Sequence, residues 1–120
     1  MRYMLLIYTS QDEGTGASDK NEAVKYGHWA IIQEARHCGV LEGAEPLGSA
    51  GTATTIRDRE GRAVITDGPF AETKEQLGGY YILDCKDLDE AIGWATRIRT
   101  ACRDTEAVEI RPLPGLPDYT

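Results

Sequence analysis

The chain has 120 residues and a mass of 13.2 kDa, with 41% apolar and 28% charged residues, which suits one globular domain and excludes a disordered chain. No apolar run approaches the roughly 18 residues of a spanning helix, and Tyr3–Tyr8 is too short for a leader's apolar segment, so a cytoplasmic protein is expected. Twenty acids against 13 bases give a net charge of −7, so neither nucleic acid nor a membrane surface is an expected partner.

The first element, Tyr3-Met-Leu-Leu-Ile-Tyr8, is apolar at odd and even positions alike, as in a strand covered on both faces. Residues 9–18 are polar, carry Gly14 and Gly16, and read as a loop. A helix follows from about Lys20 to Cys38, with Asp19 and Glu22 as a capping box and Gly39 as its stop. At 100° per residue, Val24, His28, Ile31, Ala35 and Cys38 share one stripe, with Ile32 on its flank. His28 therefore points inward, His37 outward, and Trp29 to the more polar side.

Residues 40–50 hold Gly43, Pro46 and Gly48 and read as an irregular crossing. Thr52–Arg57 and Arg62–Asp67 flank a glycine-closed turn and predict a hairpin, with Arg57, Arg59 and Arg62 clustered at a solvated tip. Asp67-Gly-Pro-Phe70 breaks the second strand. The polar stretch to Leu77 reads as a loop or one helical turn, and Gly78-Gly79 introduces the strand Tyr80–Cys85. Asp87 and Glu90 cap a second helix whose stripe is Leu88, Ala91, Ile92, Ala95, Ile98 and Cys102. Ala107–Pro112 is the last strand. Residues 1–112 thus form one domain, and 113–120, with Pro114 and Pro117, a C-terminal arm.

The order β-α-β-β-β-α-β predicts an α+β fold of the ferredoxin-like, split βαβ kind: an antiparallel sheet with two helices on one face. Two helices cannot cover the second face of strands that are apolar on both. A second copy of the sheet is the simplest cover, so a homodimer through the open sheet face is expected. The cysteines number three and lack a Cys-x-x-Cys spacing, which argues against a disulfide framework and a zinc site; Cys38, Cys85 and Cys102 read as reduced core thiols.

The run Asp67-Gly-Pro-Phe-Ala-Glu-Thr-Lys-Glu75, followed by Leu77-Gly-Gly-Tyr-Tyr-Ile-Leu-Asp84, resembles the signature of the DGPF-motif proteins within the YCII-related family. Tyr3–Tyr8, Gly39–Gly43, Asp87–Ala95 and Val108–Pro112 extend the resemblance over nearly the whole chain. It implies a ferredoxin-like fold paired into a dimeric α/β barrel. It also implies a histidine–aspartate pair in a cleft: His28, Gly39 and Leu41 match the spacing His, ten residues, Gly, x, Leu. Asp67 is the candidate aspartate. A link to extracytoplasmic-function sigma factors is implied as well. The stretch Arg103–Ala107 departs from the family in lacking Pro or Gly, which is read as affecting a loop and not the site.

An imidazole titrates near neutrality, so an inward His28 is either an acid/base catalyst or a core histidine bonded to a backbone carbonyl. Asp67 either orients that imidazole or accepts backbone N–H bonds in its own turn. Arg57 and Lys74 are candidate anchors for an anionic substrate. Phe70, the sole phenylalanine, reads as a plug for its loop, and either Tyr80 or Tyr81 faces a cleft. The candidate set is His28 and Asp67 as catalytic residues, with Arg57, Phe70, Lys74 and Tyr81 at the substrate. Neither a metal nor a cofactor is expected, since no P-loop, nucleophile elbow or dinucleotide fingerprint occurs. Two functions fit: a cofactor-free enzyme of proton transfer, isomerase- or lyase-like, or a non-catalytic regulatory or ligand-sensing module in which exposed Trp29 or Trp94 anchors a partner.

Overall fold

The computed structural model describes residues 1–10 and 18–118, with side chains from Glu22 onward in the first helix. The Gly14–Gly16 loop lies outside the described residues, and α1 begins at Ser18, one residue before the expected Asp19 cap, whose side chain is not described. The elements are β1 (Arg2–Ser10), α1 (Ser18–His37), β2 (Leu41–Pro46), a 3-10 turn (Ala50–Thr52), β3 (Thr54–Arg59), β4 (Arg62–Asp67), β5 (Glu75–Asp84), α2 (Leu88–Ala101) and β6 (Thr105–Leu113). Four strands form one antiparallel sheet in the order β2-β5-β1-β6, while β3 and β4 form a separate two-stranded sheet. This is the ferredoxin-like α+β arrangement, with the hairpin inserted between two strands of the split βαβ units.

The sheet assigns every residue of β1 to one of two faces. Tyr3, Leu5 and Ile7 are buried under the helices, where they meet Tyr81 and Leu83 of β5 and Ile31 and Ala35 of α1. Met4, Leu6, Tyr8, Tyr80 and Ile82 point to the opposite face and are half-buried. Tyr8 there donates to Glu109 at 3.0 Å, and Glu109 also takes Arg111 at 2.8 Å, the cross-strand polar cluster expected at the end of the sheet.

β2 occupies the segment read as an irregular crossing. Its glycine and proline are tolerated because it is an edge strand, and its register slips at Gly43. Gly79 fixes its approach: a Cβ there would lie 2.9 Å from the Glu45 carbonyl oxygen. β5 starts earlier than expected, because polar Glu75 and Gln76 pair with equally polar Ser10 and Thr9. The hairpin turns through Glu60 (φ 54°) and Gly61 (φ 82°), the left-handed pair that matches strand twist. Ile56 and Ile65 face each other across it and are both 69% exposed. The hairpin stands off the body, which agrees with a radius of gyration of 16.4 Å where a compact chain of this length gives about 14 Å.

α1 closes on Gly39 (φ 76°), with the Val40 N–H reaching back to the Ala35 carbonyl at 3.0 Å. The helix ends at His37, so Cys38 leaves the inward stripe and is exposed; only Cys85 and Cys102 are core thiols. α2 is capped by Asp87, which accepts from the Glu90 N–H at 2.9 Å, while Glu90 accepts from the Lys86 N–H at 3.1 Å. Of its expected stripe Ala91, Ala95, Ile98 and Cys102 are buried, Trp94 joins them, and Leu88 and Ile92 are exposed. Trp94 is buried with the Arg97 guanidinium over its ring, so it is not a surface anchor.

Candidate active site

The two helices meet closely at Gly27, where a Cβ would lie 2.5 Å from the Ala101 carbonyl oxygen and 3.3 Å from Cys102 Sγ. Beyond that contact α1 and the sheet border a cavity of about 340 Å³. Ile7 and Thr9 of β1, Ala44 and Pro46 of β2 and Gly79 to Tyr81 of β5 form its floor and edge. Val24, His28, Trp29 and Ile32 of α1 form its roof. Lys25, Glu45 and Asp104 are the charged residues of its wall.

His28 and Tyr81 meet inside it. The His28 Nδ1 lies 2.6 Å from the Tyr81 hydroxyl, and the two rings are tilted by 34° at 5.8 Å. The strand alternation that buries Leu5 beneath the helices also sends Tyr81 upward, and the helical stripe brings His28 down onto it. Burial holds the His28 pKa below its ordinary 6.5, and the Asp104 charge opposes that shift. His28 is therefore a neutral imidazole at neutral pH. Burial raises the Tyr81 phenol well above its usual range, with nearby Cys102 adding to the effect, so Tyr81 keeps its proton. When Nδ1–H donates to the Tyr81 oxygen, Nε2 is a free base; when Tyr81 donates to Nδ1, Nε2 carries the proton. The pair thus holds either tautomer without a net charge.

The other expected site residues lie elsewhere in the chain. Asp67 ends β4, is exposed, and makes no hydrogen bond with His28. Gly68 (φ 99°) turns the chain after it, giving its N–H to the Ala53 carbonyl at 2.7 Å and accepting from the Thr55 hydroxyl at 2.7 Å. Arg57 donates to the Phe70 carbonyl at 2.9 Å and stacks over the Phe70 ring at 4.8 Å. Those two residues stitch the Asp67–Glu75 loop to the hairpin. Lys74 is exposed in the same loop. None of Arg57, Asp67, Phe70 and Lys74 lines the cavity of the single chain, whereas His28 and Tyr81 both do.

Asp104 is the residue that sequence reasoning passed over. The stretch Arg103–Ala107 was expected to affect a loop alone, yet its Asp104 forms part of the cavity wall. Its position depends on where α2 ends: Cys102 caps the helix, and the Thr105 N–H bonds to the Cys102 carbonyl at 3.0 Å, a turn in which Arg103 is exposed and Asp104 borders the cavity.

A ferredoxin-like α+β domain with an apolar-walled cavity and a neutral histidine–tyrosine pair is thus the class that fold and site define. Residues 1–114 match the YCII-related domain, and the chain belongs to that family. It is 36% identical over 114 residues to an uncharacterized protein of Rhizobium meliloti (strain 1021), covering 94% of this chain and 92% of that one. Among solved structures it is similar in fold to 5-chloro-2-hydroxyhydroquinone dehydrochlorinase (TftG) from Burkholderia phenoliruptrix AC1100, in complex with 2,5-dihydroxybenzoquinone. That likeness has a TM-score of 0.56 at 14% identity and covers 94% of this chain and 93% of the other. No helix among the described residues is long and apolar enough to cross a membrane.

Proposed function

We propose that the cavity takes a small, largely apolar molecule and moves a proton on it without a cofactor, with His28 as the acid/base. The 2.6 Å contact between His28 Nδ1 and the Tyr81 hydroxyl carries this reading, because it fixes the ring and leaves Nε2 as the nitrogen free for chemistry. In the base tautomer Nε2 takes the proton of a weak carbon or oxygen acid. The imidazolium then returns it to another atom of the same molecule, which is isomerisation, or to a leaving group, which is elimination. Tyr81 orients the ring and remains neutral.

The wall charges favour an uncharged ligand. Lys25 is balanced by Glu45, and Asp104 adds a further negative charge, so an anion gains nothing on entering. Arg57 and Lys74 serve as anion anchors, and Asp67 as an orienting partner, only where the hairpin of a second copy carries them to the cavity. The unpaired apolar face of Met4, Leu6, Tyr80 and Ile82 supports such a homodimer. Membership of the DGPF-motif subgroup belongs to this reading too, on the Asp67–Glu75 run.

The test uses deuterium exchange. Enolisable ketones and lactones that fit the cavity are incubated with the protein in D2O, and loss of the α-proton signal is followed by NMR. Acceleration that His28→Ala abolishes is expected. Compounds that bind in the cavity yet exchange no faster than in buffer would overturn the catalytic reading.

A non-catalytic regulatory module, tied to an extracytoplasmic-function sigma factor, is the second reading. Tyr26 and Trp29 favour it: their rings pair at 5.9 Å and are 71% and 57% exposed, Trp29 at the rim of the cavity, as a partner anchor would be. It expects Trp29→Ala to abolish binding to the sigma factor and His28→Ala to leave it intact.

A further inference from the structure

The neutral Tyr81 hydroxyl can orient His28, but it cannot balance the charge that appears when Nε2 takes a proton. That charge would form in a cavity with apolar walls, where an uncompensated ion is costly. The titratable and polar groups that line the cavity with His28 are Lys25 and Trp29 from its own helix, Thr9 from β1, Glu45 from β2, Tyr81 from β5, and Asp104 from the turn after α2, while the Tyr80 side chain belongs to the other face of the sheet. Cys102 lies behind them against Gly27. Of these, Asp104 is the one whose charge acts on His28, and it acts to favour the protonated ring.

Asp104 has a second property. Its Oδ1 is buried without a hydrogen-bond partner, as is the neighbouring Thr105 hydroxyl oxygen. A carboxylate oxygen left without a donor away from water is unfavourable in the resting state. A positive charge formed on His28, which lines the same cavity, would lessen that cost.

We infer that Asp104 is the counter-ion of His28, a positioning residue that stabilises the imidazolium formed when the cavity's ligand gives up its proton. This rests on the proton-transfer reading of the cavity. It also says why the ligand need not bring a negative charge, since the protein supplies one beside the histidine. Asp67, at the foot of the hairpin, has no such relation to His28 within the chain.

The experiment titrates His28 by heteronuclear NMR of its ring, which needs no substrate. Asp104→Asn is expected to lower the His28 pKa, as loss of a nearby carboxylate does. Asp104→Glu should restore part of that shift, and Asp89→Asn, at an exposed carboxylate in the first turn of α2, should leave His28 where it was. The wild-type protein gives an independent readout: the Asp104 side-chain carboxyl signal should move through the same pH range as the His28 ring. An unchanged His28 in Asp104→Asn, or a shift of the same size in Asp89→Asn, overturns the assignment. So does a wild-type Asp104 carboxyl signal that ignores the His28 titration, whether or not the variant folds. If deuterium exchange fails while His28 still answers to Asp104, the proposed function falls and the counter-ion stands; the reverse pattern refutes the counter-ion alone.

Discussion

Gly27→Ala should destabilise the protein, although helix propensity alone says the opposite. Alanine in place of a helix-interior glycine gains about 0.8–1.0 kcal/mol. At Gly27 the added Cβ would sit 2.5 Å from the Ala101 carbonyl oxygen, while ordinary contact begins at 3.4 Å. The atom it meets is backbone, so no side chain can swing away. The two helices must separate by several tenths of an ångström, and overpacking of this kind costs about 1–3 kcal/mol. Gly93, inside α2, is the control, since a Cβ there meets nothing within 4 Å. The propensity gain is common to both variants and cancels in their comparison. Gly93→Ala should therefore exceed Gly27→Ala in stability by roughly 1–3 kcal/mol. At a urea slope of about 1.5 kcal/mol per M, the unfolding midpoints should stand roughly 0.7–2 M apart. The measurement is urea unfolding at one fixed protein concentration, so that any association contributes equally. A Gly27→Ala protein as stable as Gly93→Ala would refute the close helix contact. It would also remove the reason for His28, the next residue, to sit where it does.

Two further expectations concern pH and thiols. The folded His28 pKa lies below the unfolded 6.5, so the unfolded chain binds the proton first; stability should hold above pH 6.5 and fall as pH drops through that value. Melting temperatures between pH 5 and 7 check this, and His28→Asn should flatten the slope. Cys85 and Cys102 are pushed up by burial from 9.0 to about 11, so their contribution holds below pH 9 and is lost as pH rises toward 11. At neutral pH the folded protein should therefore react with a thiol reagent at exposed Cys38 alone, and at all three cysteines once unfolded. Two or more fast thiols in the folded protein would contradict the buried positions.

Where a residue's neighbours lie within its own helix or strand, the sequence was a sufficient guide. The inward stripe of α1 brought His28 to the sheet, and the alternation of β5 brought Tyr81 to the helices, so two halves of the candidate site were legible separately. Their meeting was not, because it depends on β5 lying beside β1 in register Leu5↔Tyr81, which no local pattern encodes. β2 was missed for a related reason. An edge strand tolerates Gly43 and Pro46, so it lacks the composition by which strands are recognised. The expected stripe of α2 is buried at Ala91, Ala95, Ile98 and Cys102; only its edge differs, where Trp94 is buried beneath Arg97 while Leu88 and Ile92 face outward.

Asp104 shows where such reading stops and what replaces it. Carboxylates were sought in the long motif, where a turn through Gly68 made Asp67 conspicuous. A motif marks a segment held in a particular shape, and here that shape is accounted for locally: Gly68 bonds Ala53 and Thr55, and Arg57 holds Phe70. None of these contacts reaches the cavity. Asp104 sits in an unremarkable turn, and its significance lies in a buried oxygen without a hydrogen-bond donor, in the cavity where His28 lacks a charge partner. Each deficiency is unfavourable by itself, and one proton moved onto His28 reduces both. Such complementarity of unmet needs is invisible along the chain, because Gly27 must first let α2 approach α1 before the end of α2 can bring Asp104 to the cavity wall.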